Sequence, residues 1–361
     1  MDPSLPRNPN PADGETSIII YGYIPSLSLG LACTIIFGVF CLAQLLYGLF
    51  DGRLFRRRRR GPTARARDDV DEKHIASVES ATSDADGAGA IEGRKRRRRS
   101  ESADVRIFCF LLSFGCLMEA VGYAFRVKSY YNPFLLNAFI LQYFMIVCAP
   151  VLFTAAIYLG LATIIRTDPA LQRLCPLGPR VLIALFVIAD TITIIMQVAG
   201  AALFGVAQSK IADNEDPPLS PQAANNILTA GLAAQTFFFT VFLIVFAIFV
   251  FNLSRQRTDD HDASTEKQRL EDASATTTTT PRRSAAGAAR VRPDRLLLAT
   301  MAVSSFFIYL RTIFRLAEAI EGIYSQTATD EGFFAGLEAA PVLVAVFVWT
   351  VVPLGWRISR M

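Results

Sequence analysis

The chain has 361 residues, 52% of them hydrophobic, and a formal net charge of +4. Soluble domains reach similar apolar fractions, but they do not gather them into seven runs of about 20 residues or more. The pattern excludes a soluble globular domain and predicts an all-α integral membrane protein, a bundle of seven transmembrane helices.

In chain order, residues 1–23 form a short tail rich in Pro and Asn, with Asp2, Asp13 and Glu15 against Arg7 and no signal peptide. The predicted spans are 24–50, 105–125, 135–165, 179–205, 223–251, 294–320 and 333–356. The first reads as a signal anchor whose N-terminus is translocated. Spans three and five exceed one bilayer thickness, which predicts tilt or a protruding end. Lys and Arg are distributed very unevenly: 29 fall in loops 51–104, 166–180 and 252–295 and the tail 357–361, against four on the opposite side. The positive-inside rule then places the N-terminus and tail 1–23 outside and the C-terminus in the cytoplasm. Loops 51–104 and 252–293 have too few apolar residues to repay ordering entropy, so disordered cytoplasmic loops are expected. The basic runs Arg56–Arg60 and Arg94–Arg99 adjoin membrane ends. They fit anionic inner-leaflet lipid as a partner, or topology control alone; nucleic acid is not an expected partner.

Polar residues inside the spans form the candidate site. In the second span Glu119, Tyr123 and Arg126 are spaced i, i+4, i+7 on one face, with Gly122 beside them to admit a neighbouring helix. Gln142, Pro150 and Tyr158 punctuate the third span. Asp190, Thr193 and Gln197 share a face of the fourth, and Gln235 follows Gly231 in the fifth. Arg311, Arg315 and Glu318 repeat the i, i+4, i+7 spacing in the sixth, and Glu338 precedes Pro341 in the seventh. A charge near the bilayer centre costs about 2.5–3.5 kcal/mol. Left facing lipid, Glu119, Asp190, Arg311, Arg315 and Glu318 would together cost about 12–17 kcal/mol, more than the typical stability of a domain. They must be paired or hydrated. A polar cavity for a headgroup or amphiphile is the functional reading; interhelical ion pairs that fix the packing are the other. In the N-out topology these charges gather at the midplane and in the outer half.

Several function classes lose support. The third span ends in Ile164-Ile-Arg166 rather than Asp/Glu-Arg-Tyr, and the seventh lacks Asn-Pro-x-x-Tyr, against a G-protein-coupled receptor. All five lysines lie in loops, which removes the Schiff-base partner of a retinal protein. The two histidines, His74 and His261, are also in loops, so no zinc site is expected in the spans. Of the six cysteines, Cys33, Cys41, Cys109, Cys116 and Cys148 lie in spans and Cys175 in a loop read as cytoplasmic, so no extracellular disulfide is expected. No nucleophile elbow or phosphate-binding Gly loop is present. No enzyme activity and no cofactor are expected.

Taken together, the motifs resemble a family. They are Tyr23-Ile-Pro-Ser26, Glu119-Ala-Val-Gly-Tyr123-Ala-Phe-Arg126, Ala149-Pro150 with Ala155-Ala-Ile-Tyr158, and Asp190 with Gln197 and Gly200. Gly231-Leu-Ala-Ala-Gln235 and Arg311-Thr-Ile-Phe-Arg315-Leu-Ala-Glu318 with Gly322 complete the series. In this order the chain resembles the fungal lipid-translocating exporter family, of the 7-aminocholesterol-resistance and sphingoid long-chain-base exporter type. It departs from the family pattern at Cys41-Leu-Ala-Gln44 and Val352, where histidine is expected, and at Glu338, where aspartate is expected.

The resemblance implies translocation or export of lipids or lipid-like amphiphiles, resistance to membrane-active compounds, and residence in the plasma membrane, with the endoplasmic reticulum or vacuole as alternatives. A seven-span lipid or stress sensor signalling through its cytoplasmic loops is the rival. The expected substrate-binding residues are Glu119, Tyr123, Arg126, Asp190, Gln197, Gln235, Arg311, Arg315, Glu318 and Glu338. Glu119 is expected to pair with Arg311 or Arg315, Arg126 to snorkel to external water, and Asp190 to be the acid left free for a ligand.

Overall fold

The computed structural model describes residues 6–12, 14–19, 23–50, 85–167, 169–212, 215–274, 294–322 and 330–355; at 85–102, 167, 169–170, 212 and 257–274 it describes the backbone alone. Among the described residues, seven helices are long and apolar enough to cross a membrane: Leu27–Phe50, Ala103–Tyr131, Leu136–Arg166, Pro179–Ile211, Pro221–Gln256, Arg295–Glu321 and Glu331–Val351. They are called the first to seventh helices below. A short helix, Pro169–Leu174, joins the third to the fourth.

Two helices reach into segments expected to be disordered. The second begins at Ala85 and the fifth runs to Ser274. Extending a formed helix adds a hydrogen bond per residue without a new nucleus, and Ala, Glu, Lys and Arg in these stretches are good helix formers. Residues 51–84 and 275–293, with Arg56–Arg60, lie outside the described residues, and Arg94–Arg99 lie where only the backbone is described.

The third helix is the most buried and the first the least. The third packs on the second and fourth and touches the sixth; the first lies on the second, the fourth on the fifth, the fifth on the sixth, and the sixth on the seventh. Leu31, Ile35, Val39, Leu42, Leu46 and Leu49 of the first helix are exposed, as a lipid-facing stripe must be. Gln44 on its other side is buried and donates through Nε2 to Thr350 Oγ1 of the seventh helix at 3.1 Å.

Small residues bring backbones close where polar groups must meet. A Cβ on Gly122 would lie 2.7 Å from Ile146 Cγ1 of the third helix, and one on Gly200 only 2.5 Å from the backbone nitrogen of Leu228 of the fifth.

One end of the bundle is tied by Arg166 and Asp104, 3.0 Å apart. At the other, the N-terminal arm docks on the connection between the second and third helices. Thr16 N donates to Phe134 O at 2.8 Å and Leu136 N to Gly14 O at 3.2 Å, after Gly14 turns with φ 84°. Glu15 accepts from Asn132 Nδ2 at 2.7 Å and Asn8 Nδ2 at 2.9 Å. Its carboxyl is held below the ordinary glutamate value, first by the Asn132 bond and then by the Ala12 backbone N–H.

Candidate functional site

Two prolines shape the charged interior. Pro150 in the third helix has no N–H, so the carbonyl of Ile146 four residues earlier loses its intrahelical donor. Arg311 Nη2 of the sixth helix fills the vacancy, donating to Ile146 O at 2.9 Å. In the seventh helix the turn before Pro341 widens into a π segment, Phe334–Ala339, in which Ala340 N bonds back to Ala335 O. That turn carries Glu338, 1% exposed, into the bundle. Glu338 accepts from Arg311 Nη2 at 2.5 Å, from Arg315 Nε at 2.7 Å and from Arg315 Nη2 at 2.8 Å. Arg315 Nη1 also donates to Glu318 at 3.0 Å. The i, i+4, i+7 face of the sixth helix is thus neutralised by its own Glu318 and by Glu338 across the interface. Fork-shaped guanidinium donors suit this geometry.

A second cluster lies toward the N-terminal arm. Arg126 Nη2 donates to Glu331 Oε1 and to the Tyr23 hydroxyl, each at 2.8 Å. Glu331 Oε1 also accepts from Ser26 N at 2.9 Å. Burial pushes the Tyr23 hydroxyl up from its ordinary value, opposed by Arg126. The guanidinium of Arg126 sits 4.2 Å from the Phe334 ring centroid and that of Arg315 5.8 Å from it, so one ring lies between the two clusters. Snorkelling was the expectation for Arg126. It is 1% exposed, held at its Nη2 by Glu331 and Tyr23, while its Nε has no partner among the described residues.

Glu119 does not pair as expected. It is 1% exposed and its Oε1 has no hydrogen-bond partner among the described residues. Glu338, carried in by the π turn, takes both arginines instead. Glu119 still lies within electrostatic reach of Arg311, the strongest charge acting on it, and Arg311 Nε is likewise unpartnered among the described residues. Tyr123, on the same face, is fully buried and stacks on Phe37 at 5.8 Å.

Asp190 sits elsewhere, at the junction of the third and fourth helices. Its Oδ2 accepts from Thr154 Oγ1 at 2.9 Å and from the Tyr158 hydroxyl at 3.1 Å; its Oδ1 has no partner among the described residues. Gln197 Nε2 donates to Gln235 Oε1 at 2.7 Å across the fourth and fifth helices.

The structure therefore joins Arg311, Arg315, Glu318 and Glu338 in one network, couples Gln197 to Gln235, and leaves Glu119 and Asp190 with no cation bonded to them among the described residues. Glu331, Tyr23, Thr154 and Phe334 are members that the sequence reading did not include among the site residues. Glu331 had a usable signal: an arginine at a helix end demands a counter-charge, and this glutamate opens the next polar segment.

Fold and interior define a seven-helix integral membrane protein with a charged, largely compensated core. The family described as RTA1 like protein matches residues 112–361, more than half of the chain, and the chain belongs to that family. Among its relatives in Saccharomyces cerevisiae, Protein RTA1 is 27% identical over 241 residues, 66% of this chain and 63% of that protein. Protoporphyrin uptake protein 1 is 28% identical over 246 residues, 68% of each chain. Sphingoid long-chain base transporter RSB1 of strain Lalvin EC1118 is 27% identical over 254 residues, 68% of this chain and 64% of that protein. The chain thus spans a little under two thirds of the first and third of these relatives. No solved structure matches it.

Proposed function

We propose that this protein moves lipids or lipid-like amphiphiles, of sphingoid-base or sterol-analogue type, across or out of a membrane, and so contributes to resistance against membrane-active compounds. Two relatives are named for moving amphiphiles, a sphingoid long-chain base and protoporphyrin. One observation in the interior carries the reading. Glu119 Oε1 and Arg311 Nε are both buried and unpartnered among the described residues, and the two side chains lie within electrostatic reach. An unsatisfied acceptor within electrostatic reach of an unsatisfied donor suits a headgroup that offers a positive nitrogen to Glu119 and an oxygen to Arg311. The tail would lie between helices. With the arginines already compensated, the acid surplus favours cationic or zwitterionic amphiphiles over anionic ones. Glu119, Tyr123, Arg126, Asp190, Gln197, Gln235, Arg311, Arg315, Glu318 and Glu338 remain the residues of this reading, with Glu119 and Arg311 at its centre.

The lysine and arginine distribution supports an N-terminus outside and a C-terminus in the cytoplasm, and the plasma membrane is the proposed site of action. Anionic inner-leaflet lipid would bind the Arg56–Arg60 and Arg94–Arg99 runs. The test is flux through purified protein in vesicles, using fluorescent amphiphiles with cationic and anionic headgroups. Faster movement of the cationic probe, with the preference reduced in Glu119→Gln, is expected. If purified protein moves neither probe, the sensor reading replaces this one.

A further inference from the structure

Asp190 differs in kind from every other charge in the bundle. It is 1% exposed. Third-helix neighbours Thr154 and Tyr158 donate to one oxygen, and the other has no partner among the described residues. From its own helix, Thr193 donates to its backbone carbonyl at 2.9 Å rather than to its carboxyl. Aromatic rings pack against the ring of the tyrosine that holds it: centroid to centroid, Phe242 of the fifth helix lies 4.5 Å from Tyr158, Phe186 of the fourth 5.3 Å and Phe239 of the fifth 6.5 Å. Tyr158 is the titratable group that faces Asp190. Among the described residues no arginine, lysine or histidine acts on it, whereas Glu119 feels Arg311 and Arg315.

An ionised carboxylate in these surroundings is a bare charge. Two neutral hydroxyls do not replace a counter-ion or water, and a buried acid so placed takes up a proton instead. The same two hydroxyls are aimed to steady the anion once water reaches it. We infer that Asp190 is a proton-binding site, protonated while the third, fourth and fifth helices pack as in this structure and emptied to water when they part, so that its proton cycle is coupled to amphiphile movement. The coupling rests on the translocation reading; the proton site does not. The step is a single O–H ionisation, with the proton passing to water on the side to which the helices open.

Two measurements on the full-length protein in lipid test the inference. Infrared difference spectroscopy at neutral pH should show a protonated-carboxyl C=O stretch in the wild type that Asp190→Asn lacks. The asparagine amide mimics the neutral acid, so this variant should fold. Should it not, Tyr158→Phe removes one hydrogen bond to the carboxyl and should shift the band. A band equal in wild type and Asp190→Asn, an unshifted band in Tyr158→Phe, or no such band overturns the proton site.

The second measurement is flux of dodecyltrimethylammonium, a permanent cation that carries no proton of its own, with and without an imposed pH gradient. The gradient should change the wild-type initial rate several-fold, and in Asp190→Asn the ratio of the two rates should fall to one. A wild-type rate indifferent to the gradient, or a ratio unchanged in the variant, overturns the coupling. Flux by neither protein sinks the translocation reading and the coupling with it, while the infrared band still decides the proton site.

Discussion

The charge network between the sixth and seventh helices makes a quantitative prediction about which single change is worst. Arg311, Arg315, Glu318 and Glu338 together are neutral. Glu338 alone accepts three guanidinium hydrogen bonds, two of them from Arg315. Glu338→Gln leaves a net positive charge in this network, with Glu318 as the one acid still bonded to it. Breaking a buried pair by removing one partner costs about 3–5 kcal/mol, and Glu338→Gln should fall in that range. Arg311→Gln should cost less, because Glu338 keeps both bonds to Arg315 and loses only one donor. The double variant restores neutrality around the Arg315–Glu318 pair, which is 3.0 Å apart. It should therefore be more stable than Glu338→Gln alone, with a coupling of about 1–3 kcal/mol. Thermal denaturation in detergent, followed by the fraction that stays monodisperse, gives the order of the four proteins. Additive losses, or a double variant no better than Glu338→Gln, would refute the charge-balance reasoning.

Three further outcomes follow from geometry away from this network. Gly200→Ala places a Cβ 2.5 Å from the Leu228 backbone nitrogen, which cannot swing aside as a side chain can; the fourth and fifth helices must separate, at about 1–3 kcal/mol of overpacking, read as a lower melting temperature. The Glu15 carboxyl lies below its ordinary value in the folded arm, so its contribution is present above the usual glutamate range near about 4.3 and is lost as pH falls below it. The protection factors of the amides of residues 14–16, taken against the intrinsic exchange rate at each pH, should fall on acidification, and Glu15→Gln should flatten that dependence. Protease added outside intact cells should spare segments 51–104 and 252–293, and cleavage there would reverse the proposed orientation.

The helices were legible because each is an apolar run of bilayer length with polar punctuation, and hydropathy needs no knowledge of partners. The charged faces were legible for the same reason, since i, i+4, i+7 spacing is a property of one helix. What the sequence could not state is which helix faces which. Glu119 and the sixth-helix arginines looked complementary, but Glu338 competes for them from a π turn that a regular helix pattern does not predict. Arg126 near a helix end fits a snorkelling pattern, yet a glutamate 205 residues away reaches it first. Composition does not predict the helical continuations at 85–104 and 252–274, because it reports the lack of a core and not the help that a neighbouring formed helix gives.

The two readings of the charged spans, structural ion pairs and a functional polar interior, apply to different residues. Pro150 frees a carbonyl that positions Arg311, and the π turn before Pro341 delivers Glu338 to it. These features belong to packing: they pair Arg311 and Arg315 with Glu338 and give the freed Ile146 carbonyl a donor, leaving only the Nε of Arg311 without a partner among the described residues. Packing alone gives no reason to bury Glu119 and Asp190 with an oxygen of each left open, since glutamine or asparagine would fit the same space at lower electrostatic cost. Glu119 lies within electrostatic reach of an arginine whose Nε has no partner among the described residues, which suits the proposed ligand with both polarities. Asp190 accepts from two hydroxyls and, among the described residues, has no cation bonded to it, which suits a proton. The arginine network ties the sixth helix to the seventh and third, and the two acids with no cation bonded to them among the described residues are where the proposed headgroup and proton would bind.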